Sequence, residues 1–176
     1  MISIPFTPYH LGPSGLFGLL FLKWVDFPIL LIASVIMDIE PIMVIVFNLP
    51  YPLHRVLHSF FGAFLAAFLL ILVMKFLRDY FSPIMVVFKV KQDITLRSIS
   101  IGAFLGTFSH VLLDAPLYEE MNPFFPLAGN PFWIESSFAS LYISFFCAYC
   151  FLGALVTYFI KLTIQISKNK KRDLIL

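Results

Sequence analysis

Gly106-Thr-Phe-Ser-His-Val-Leu-Leu-Asp114 is an apolar, helix-like run that carries one histidine and one aspartate. His110 and Asp114 are four residues apart, which on an α-helix places both side chains on one face, one turn from each other. An imidazole and a carboxylate so placed can share one metal ion. The run belongs to an apolar segment from Ile99 to Leu113 that reads as a membrane helix.

The rest of the chain agrees with a bilayer setting. Of 176 residues, 60% are hydrophobic and 12% charged, with a mean hydropathy of +0.94. Soluble domains are about half apolar and about a quarter charged, so this chain reads as one all-α, polytopic transmembrane bundle. Apolar segments fall at 15–25, 28–48, 53–76, 99–113 and 138–166. A span needs about 20 residues, so 15–25 is short, and the count is four spans with a fifth short segment that spans or re-enters. Pro41 disfavours helical geometry at Glu40 and predicts an end or kink there. Phe81–Val90 is a short apolar piece, and Thr7-Pro8 and Ser14 read as helix starts.

Three segments do not span. Residues 1–14 hold Pro5, Pro8, Pro13 and His10, and lack the basic start of a signal peptide, so they are expected to be retained. Residues 115–137 are rich in Pro, Phe and Glu and form a loop. Its Phe124, Phe125, Phe132 and Trp133 suit an interfacial position, and Glu119, Glu120 and Glu135 read as solvated acids. Residues 167–176 form a basic tail. Cys147 and Cys150 lie within the last apolar helix and read as packing residues. No soluble basic face suggests nucleic acid.

Charge sets the orientation. Lys and Arg cluster at 75–97 and 161–172, and such clusters mark cytoplasmic ends. The segment at 53–76 then runs inward, 99–113 outward and the last one inward. His54, His58, His110 and Asp114 fall at the extracytoplasmic face. If 15–25 crosses inward and 28–48 returns, His10 joins them.

Four patches carry candidate chemistry: His10, Asp38-Ile-Glu40, His54-Arg-Val-Leu-His58-Ser, and Ser109-His110-Val-Leu-Leu-Asp114. Asp38 interrupts an apolar stretch, and a carboxylate at membrane depth costs roughly 2.5–3.5 kcal/mol unless it meets water or a cation. His54 and His58 repeat the i, i+4 spacing, which does not choose between them as ligands. Singly, each patch has a plainer reading: His10 an interfacial residue, Asp114 an orienter of His110, Glu40 a solvated acid, Arg55 a snorkelling side chain. Their co-location weighs for metal, because the orientation used only Lys and Arg yet put every histidine on one side.

The ordered set resembles a family of bacterial and archaeal inner-membrane proteins described as metal-dependent hydrolases, one branch of which is LexA-regulated. The likeness spans residues 5–127 and rests on His54-Arg-x-x-His58-Ser and Ser109-His110-x-x-Leu-Asp114. Glu40 stands where that family commonly has a second Asp. A weaker likeness reaches zinc phospholipase C and the zinc-dependent single-strand nucleases. It implies that Asp38, one of His54 or His58, His110 and Asp114 hold one metal, with His10 and Asp114 serving a second. No histidine follows His110 to supply the later pair of those enzymes, so a three-metal centre is not expected.

The expectation is a membrane-bound hydrolase with one or two zinc ions, or another divalent metal. It would act on a phosphoester or lipid-like amphiphile among membrane lipids at the extracytoplasmic face. Asp38 or Glu40 would take a proton, and Arg55 would steady a phosphate oxygen. The alternatives are an ion or small-solute transporter, with Asp38 and Glu40 in a broken helix, and a non-catalytic protein whose metal staples helices.

Overall fold

The structure, a computed structural model, describes residues 7–173. It is helical throughout, with no strand among the described residues. Among the described residues, four stretches are long and apolar enough to cross a bilayer: Phe27–Val46, Phe60–Val87, Leu96–Asp114 and Phe138–Lys168.

A 3-10 turn over Thr7–His10 leads into α1 (Leu11–Leu20). At ten residues, α1 is about 15 Å long, half of what a span requires. It rests on the last helix, α7 (Ser137–Asp173), where Gly12 faces the Cys147 carbonyl so closely that a Cβ would collide with it. Ser14 lies inside α1 and not at its start. Its hydroxyl donates to the His10 carbonyl at 2.7 Å.

The next span breaks earlier than its proline suggests. α2 (Phe27–Ala33) is capped by Asp26, whose carboxylate accepts the Ile29 N–H. A 3-10 turn over Ile36–Asp38 follows, and α3 (Ile39–Val46) begins before Pro41. Pro41 therefore sits in the first turn of a helix, where its missing N–H removes no intrahelical bond. The break falls at residues 34–38 and lifts Asp38 out of regular helix.

α4 (Phe60–Leu77) starts seven residues after Leu53, where the apolar run suggested it would begin. Ser59 is the reason: its hydroxyl accepts the Gly62 N–H at 3.0 Å and caps the helix. His54 and His58 thus lie in a turn segment ahead of the helix, and their spacing is not that of a helical face. Past α4, a 3-10 turn over Arg78–Phe81 joins the short α5 (Ser82–Val87).

α6 (Leu96–Asp114) opens with a capping box in which Thr95 and Ser98 serve each other's backbone N–H. Its 19 residues reach about 28 Å, the depth of the hydrocarbon core. Gly102 and Gly106 let α2 approach: a Cβ on Gly106 would strike Ala33 and the Leu30 and Ser34 backbone. This is a small-x-x-x-small contact between membrane helices.

The chain ascends through α2 and α6 and descends through α1, α4 and α7. At one end, Arg78 Nε donates to Asp26 at 2.6 Å, with both side chains buried. Gln92 closes that end by donating to the Leu22 and Val25 carbonyls and accepting from Phe27 N–H. The opposite end collects His10, Asp38, His58, His110 and Asp114. Large apolar side chains of α4 and α7 point outward, as lipid-facing surfaces do.

Candidate metal centre

His110 is fully buried on the inner face of α6, and its ring orientation is fixed from outside that helix. Nδ1 lies 2.7 Å from the Ser34 backbone carbonyl. A carbonyl only accepts, so Nδ1 carries the hydrogen, and in a neutral imidazole Nε2 then keeps its lone pair. The Ser34 carbonyl is available because the 34–38 break leaves it outside α2. Ser34 is itself tied to α1 by a 2.9 Å contact between its hydroxyl and that of Ser14.

His58 repeats the arrangement with a carboxylate. Its Nδ1 is 3.0 Å from Glu40 Oε2, so Nδ1 donates and Nε2 is again an acceptor. Glu40 also accepts the backbone N–H groups of Arg55 at 2.9 Å and of Leu57 and His58 at 3.3 Å. The carboxylate therefore fixes both the turn and the tautomer of the imidazole at its end. Burial, more than any neighbour, lowers the tendency of His58 to take a second proton, and the Glu40 hydrogen bond opposes it.

The two acceptor nitrogens point at each other. His110 Nε2 is 3.2 Å from His58 Nε2, 3.2 Å from Asp114 Oδ2 and 3.6 Å from Asp38 Oδ1. His58 Nε2 is 3.8 Å from Asp114 Oδ2 and 4.0 Å from Asp38 Oδ1. One ligand atom from each of Asp38, His58, His110 and Asp114 lies within 4.8 Å of the others, and all four residues are buried. Metal bonds of about 2.0 Å in a tetrahedron put neighbouring ligands about 3.3 Å apart, so the shortest of these separations match.

Charge gives the same answer. Asp38 and Asp114 are buried with Glu40 close by, and the ion pairs of the group contain no Lys or Arg. One added proton would satisfy a single pair of these atoms, whereas a divalent cation answers all four ligands at once. His10 stacks on His110 at 4.1 Å, and its Nε2 is 3.3 Å from Asp114 Oδ1. His10 Nδ1 and Asp38 Oδ2 are buried without a hydrogen-bond partner among the described residues. The donor set fits a metal ion on those grounds.

Four sequence candidates stand outside the four ligands: His10 and Glu40 lie directly against them, and His54 and Arg55 do not bond to them. His54 turns away: its Nδ1 meets Glu120 Oε1 at 2.9 Å, its ring stacks on Tyr118 at 3.7 Å, and it meets His58 edge-on at 4.7 Å. Arg55 is exposed, with its guanidinium over the Tyr51 ring at 4.3 Å. Only its backbone N–H serves the site, through Glu40. Glu120 is exposed, as a solvated acid is, but it is bonded to His54, and that hydrogen bond holds its carboxyl below the usual range. Sequence patterning misses Ser34, Ser14, Tyr118 and Glu120. Ser34 acts through its backbone, and the two loop residues follow no period; only their closeness to Asp114 in Asp114-Ala-Pro-Leu-Tyr-Glu-Glu120 could have drawn attention.

A family model described as YdjM inner membrane protein matches residues 8–172, nearly the whole chain. The chain belongs to the YdjM inner membrane protein family. Membership and the four apolar spans make it an integral inner-membrane protein. No curated protein and no solved structure matches it. In this YdjM-family chain, the match takes in His10 and every residue of the four-ligand group.

Proposed function

We propose that this YdjM-family chain is a membrane-bound, metal-dependent hydrolase. Its substrate would be a phosphoester or lipid-like molecule at the extracytoplasmic face. The observation that carries the reading is the pair of opposed Nε2 atoms flanked by two carboxylates, with each histidine's other nitrogen tied down. Two nitrogens with two oxygens suit zinc, and manganese or iron by the same chemistry. Bound zinc supplies Lewis acidity and lowers the pKa of a coordinated water to about 7.

The protein's own groups divide the remaining work. Asp38, His58, His110 and Asp114 would hold the ion, and Glu40 and Ser34 orient the two imidazoles. Glu40 is engaged with four donors, which leaves it as an orienter and not as the proton acceptor. His54, held by Glu120 beside His58, is the better placed group to pass a proton outward. Arg55 would reach a phosphate oxygen only by leaving Tyr51. The Lys and Arg clusters at 75–97 and 161–172 favour an orientation with the far end toward the cytoplasm and the centre on the other side.

A second reading has one observation in its favour: four protein ligands can close a tetrahedron, as in a structural site that staples helices. Against it, a staple has no use for His10, His54 and Glu120 around the ligands. Purified protein is expected to carry near-stoichiometric zinc, to lose it in His110→Ala, and to hydrolyse a chromogenic phosphodiester. X-ray absorption should find at least one non-protein ligand on the ion. A coordination shell filled by protein, with no turnover of the phosphodiester, would leave the staple.

A further inference from the structure

A cleft of about 350 Å³ opens sideways between α1, α6 and α7. Leu16, Phe17 and Leu20 of α1 form one wall, and Leu105 of α6 and Phe146 of α7 face them. Phe146 and Leu20 are exposed, so a chain can enter from the bilayer without leaving hydrocarbon.

The cleft's hydroxyls belong to Ser14 and Ser109, and both lie at its upper end. Ser14 follows His10 by one turn and bonds the His10 carbonyl and the hydroxyl of Ser34, whose carbonyl holds His110. Ser109 directly precedes His110. From Ser14 to Leu20 the wall descends about 9 Å, within the half-thickness of about 15 Å available to one leaflet's tails. The cleft is thus apolar along its length, and its two hydroxyls, Ser14 bonded to His10 and Ser34 and Ser109 to the Gly106 carbonyl, mark the end next to the metal-ligating residues, with the apolar wall directed toward the midplane. That is the polarity and direction of a lipid in the leaflet that holds the centre, and a water-soluble ester would make no use of it. The exposed apolar faces of α3 and of the 115–137 loop, including Ile42, Val46, Phe124 and Phe132, lie at the same end of the molecule.

We infer that the substrate of the centre is a phospholipid of that leaflet, with an acyl chain in this cleft and its ester-bearing headgroup at the ligand cluster. The inference rests on the hydrolase reading above. Its test uses full-length protein in nanodiscs containing a phospholipid with a diazirine midway along one acyl chain. Irradiation and peptide mapping should label Leu16, Phe17 and Leu105 several-fold more than Phe68 and Leu72 on the outward face of α4. Leu105→Trp, and independently Ser109→Phe, should bring labelling down to the α4 level while metal content stays that of wild type. Wild-type labelling no higher in the cleft than on α4 would overturn the inference. Turnover is scored separately in the same preparations. Hydrolysis of a water-soluble phosphodiester without cleft labelling removes the lipid and leaves the hydrolase standing. Cleft labelling at full metal content, with neither ester hydrolysed, removes the hydrolase and the lipid's role as substrate together.

Discussion

Glu40 gathers four N–H donors on one carboxylate: three from the 55–58 backbone and one from the His58 ring. No other side chain in the site does as much with as little burial, since its side chain is 14% exposed. Its charge makes it an acceptor at both oxygens, and that requirement keeps the hydrogen on His58 Nδ1 and the lone pair on Nε2. Glu40→Gln preserves the shape, removes the charge and turns an NH2 group toward N–H donors. The turn then loses its anchor and His58 its preferred tautomer. Zinc affinity, measured by competition with a chromophoric chelator, is expected to fall about 10–100-fold, the usual cost of losing an outer-shell partner. The helical circular dichroism should stay that of wild type, because the substitution lies outside the helices that pack the core. Unchanged affinity would mean that His58 is positioned without Glu40.

Among the elements, the α2–α6 pair decides whether the ligands meet at all. Gly102 and Gly106 allow α2 to lie directly on α6, and that contact delivers the Ser34 carbonyl to His110 and Asp38 to the cluster. Gly106→Leu forces a side chain into the space of Ala33, an overpacking that typically costs 1–3 kcal/mol. The expected result is a lower unfolding temperature together with lost zinc, whereas a surface substitution such as Leu69→Ala should change neither. The same pair shows what a linear sequence can carry. Apolar length marked the spans, and the i, i+4 rule placed His110 and Asp114 correctly because α6 is regular up to Asp114. The rule misled at His54 and His58, where Pro50, Pro52 and the Ser59 cap prevent a helix across an apolar-looking run. Pro41 misled in the other direction, since a first-turn proline does not break a helix. That His58 and not His54 joins the four-residue group depends on backbone donors to Glu40 and on a loop acid, Glu120, and neither has a signature in residue order.

At the scale of the whole molecule, the bundle is polar at both ends and for different purposes. The far end holds the buried Asp26–Arg78 pair, which ties the cap of α2 to the end of α4. Removing one partner of such a pair strands a buried charge at a typical cost of 3–5 kcal/mol. Arg78→Met should therefore destabilise strongly. Arg78→Met combined with Asp26→Leu should recover much of that loss, and zinc content should hold in whatever fraction folds, because the pair is remote from the ligands. The two ends also differ in what surrounds them. Lys75, Lys89, Lys91, Arg97, Lys161 and Lys168 cluster toward the Arg78 end, while the histidines and the aromatic loop occupy the other. The positive-inside bias predicts the orientation with the Arg78 end toward the cytoplasm. Single cysteines at Leu127 in the loop and at Lys168 on α7, in a chain with Cys147 and Cys150 replaced by alanine, test it directly. A membrane-impermeant maleimide added to intact spheroplasts is expected to label position 127 and to reach position 168 only after lysis. The reverse pattern would place the metal centre on the cytoplasmic side, and any substrate lipid would then belong to the inner leaflet.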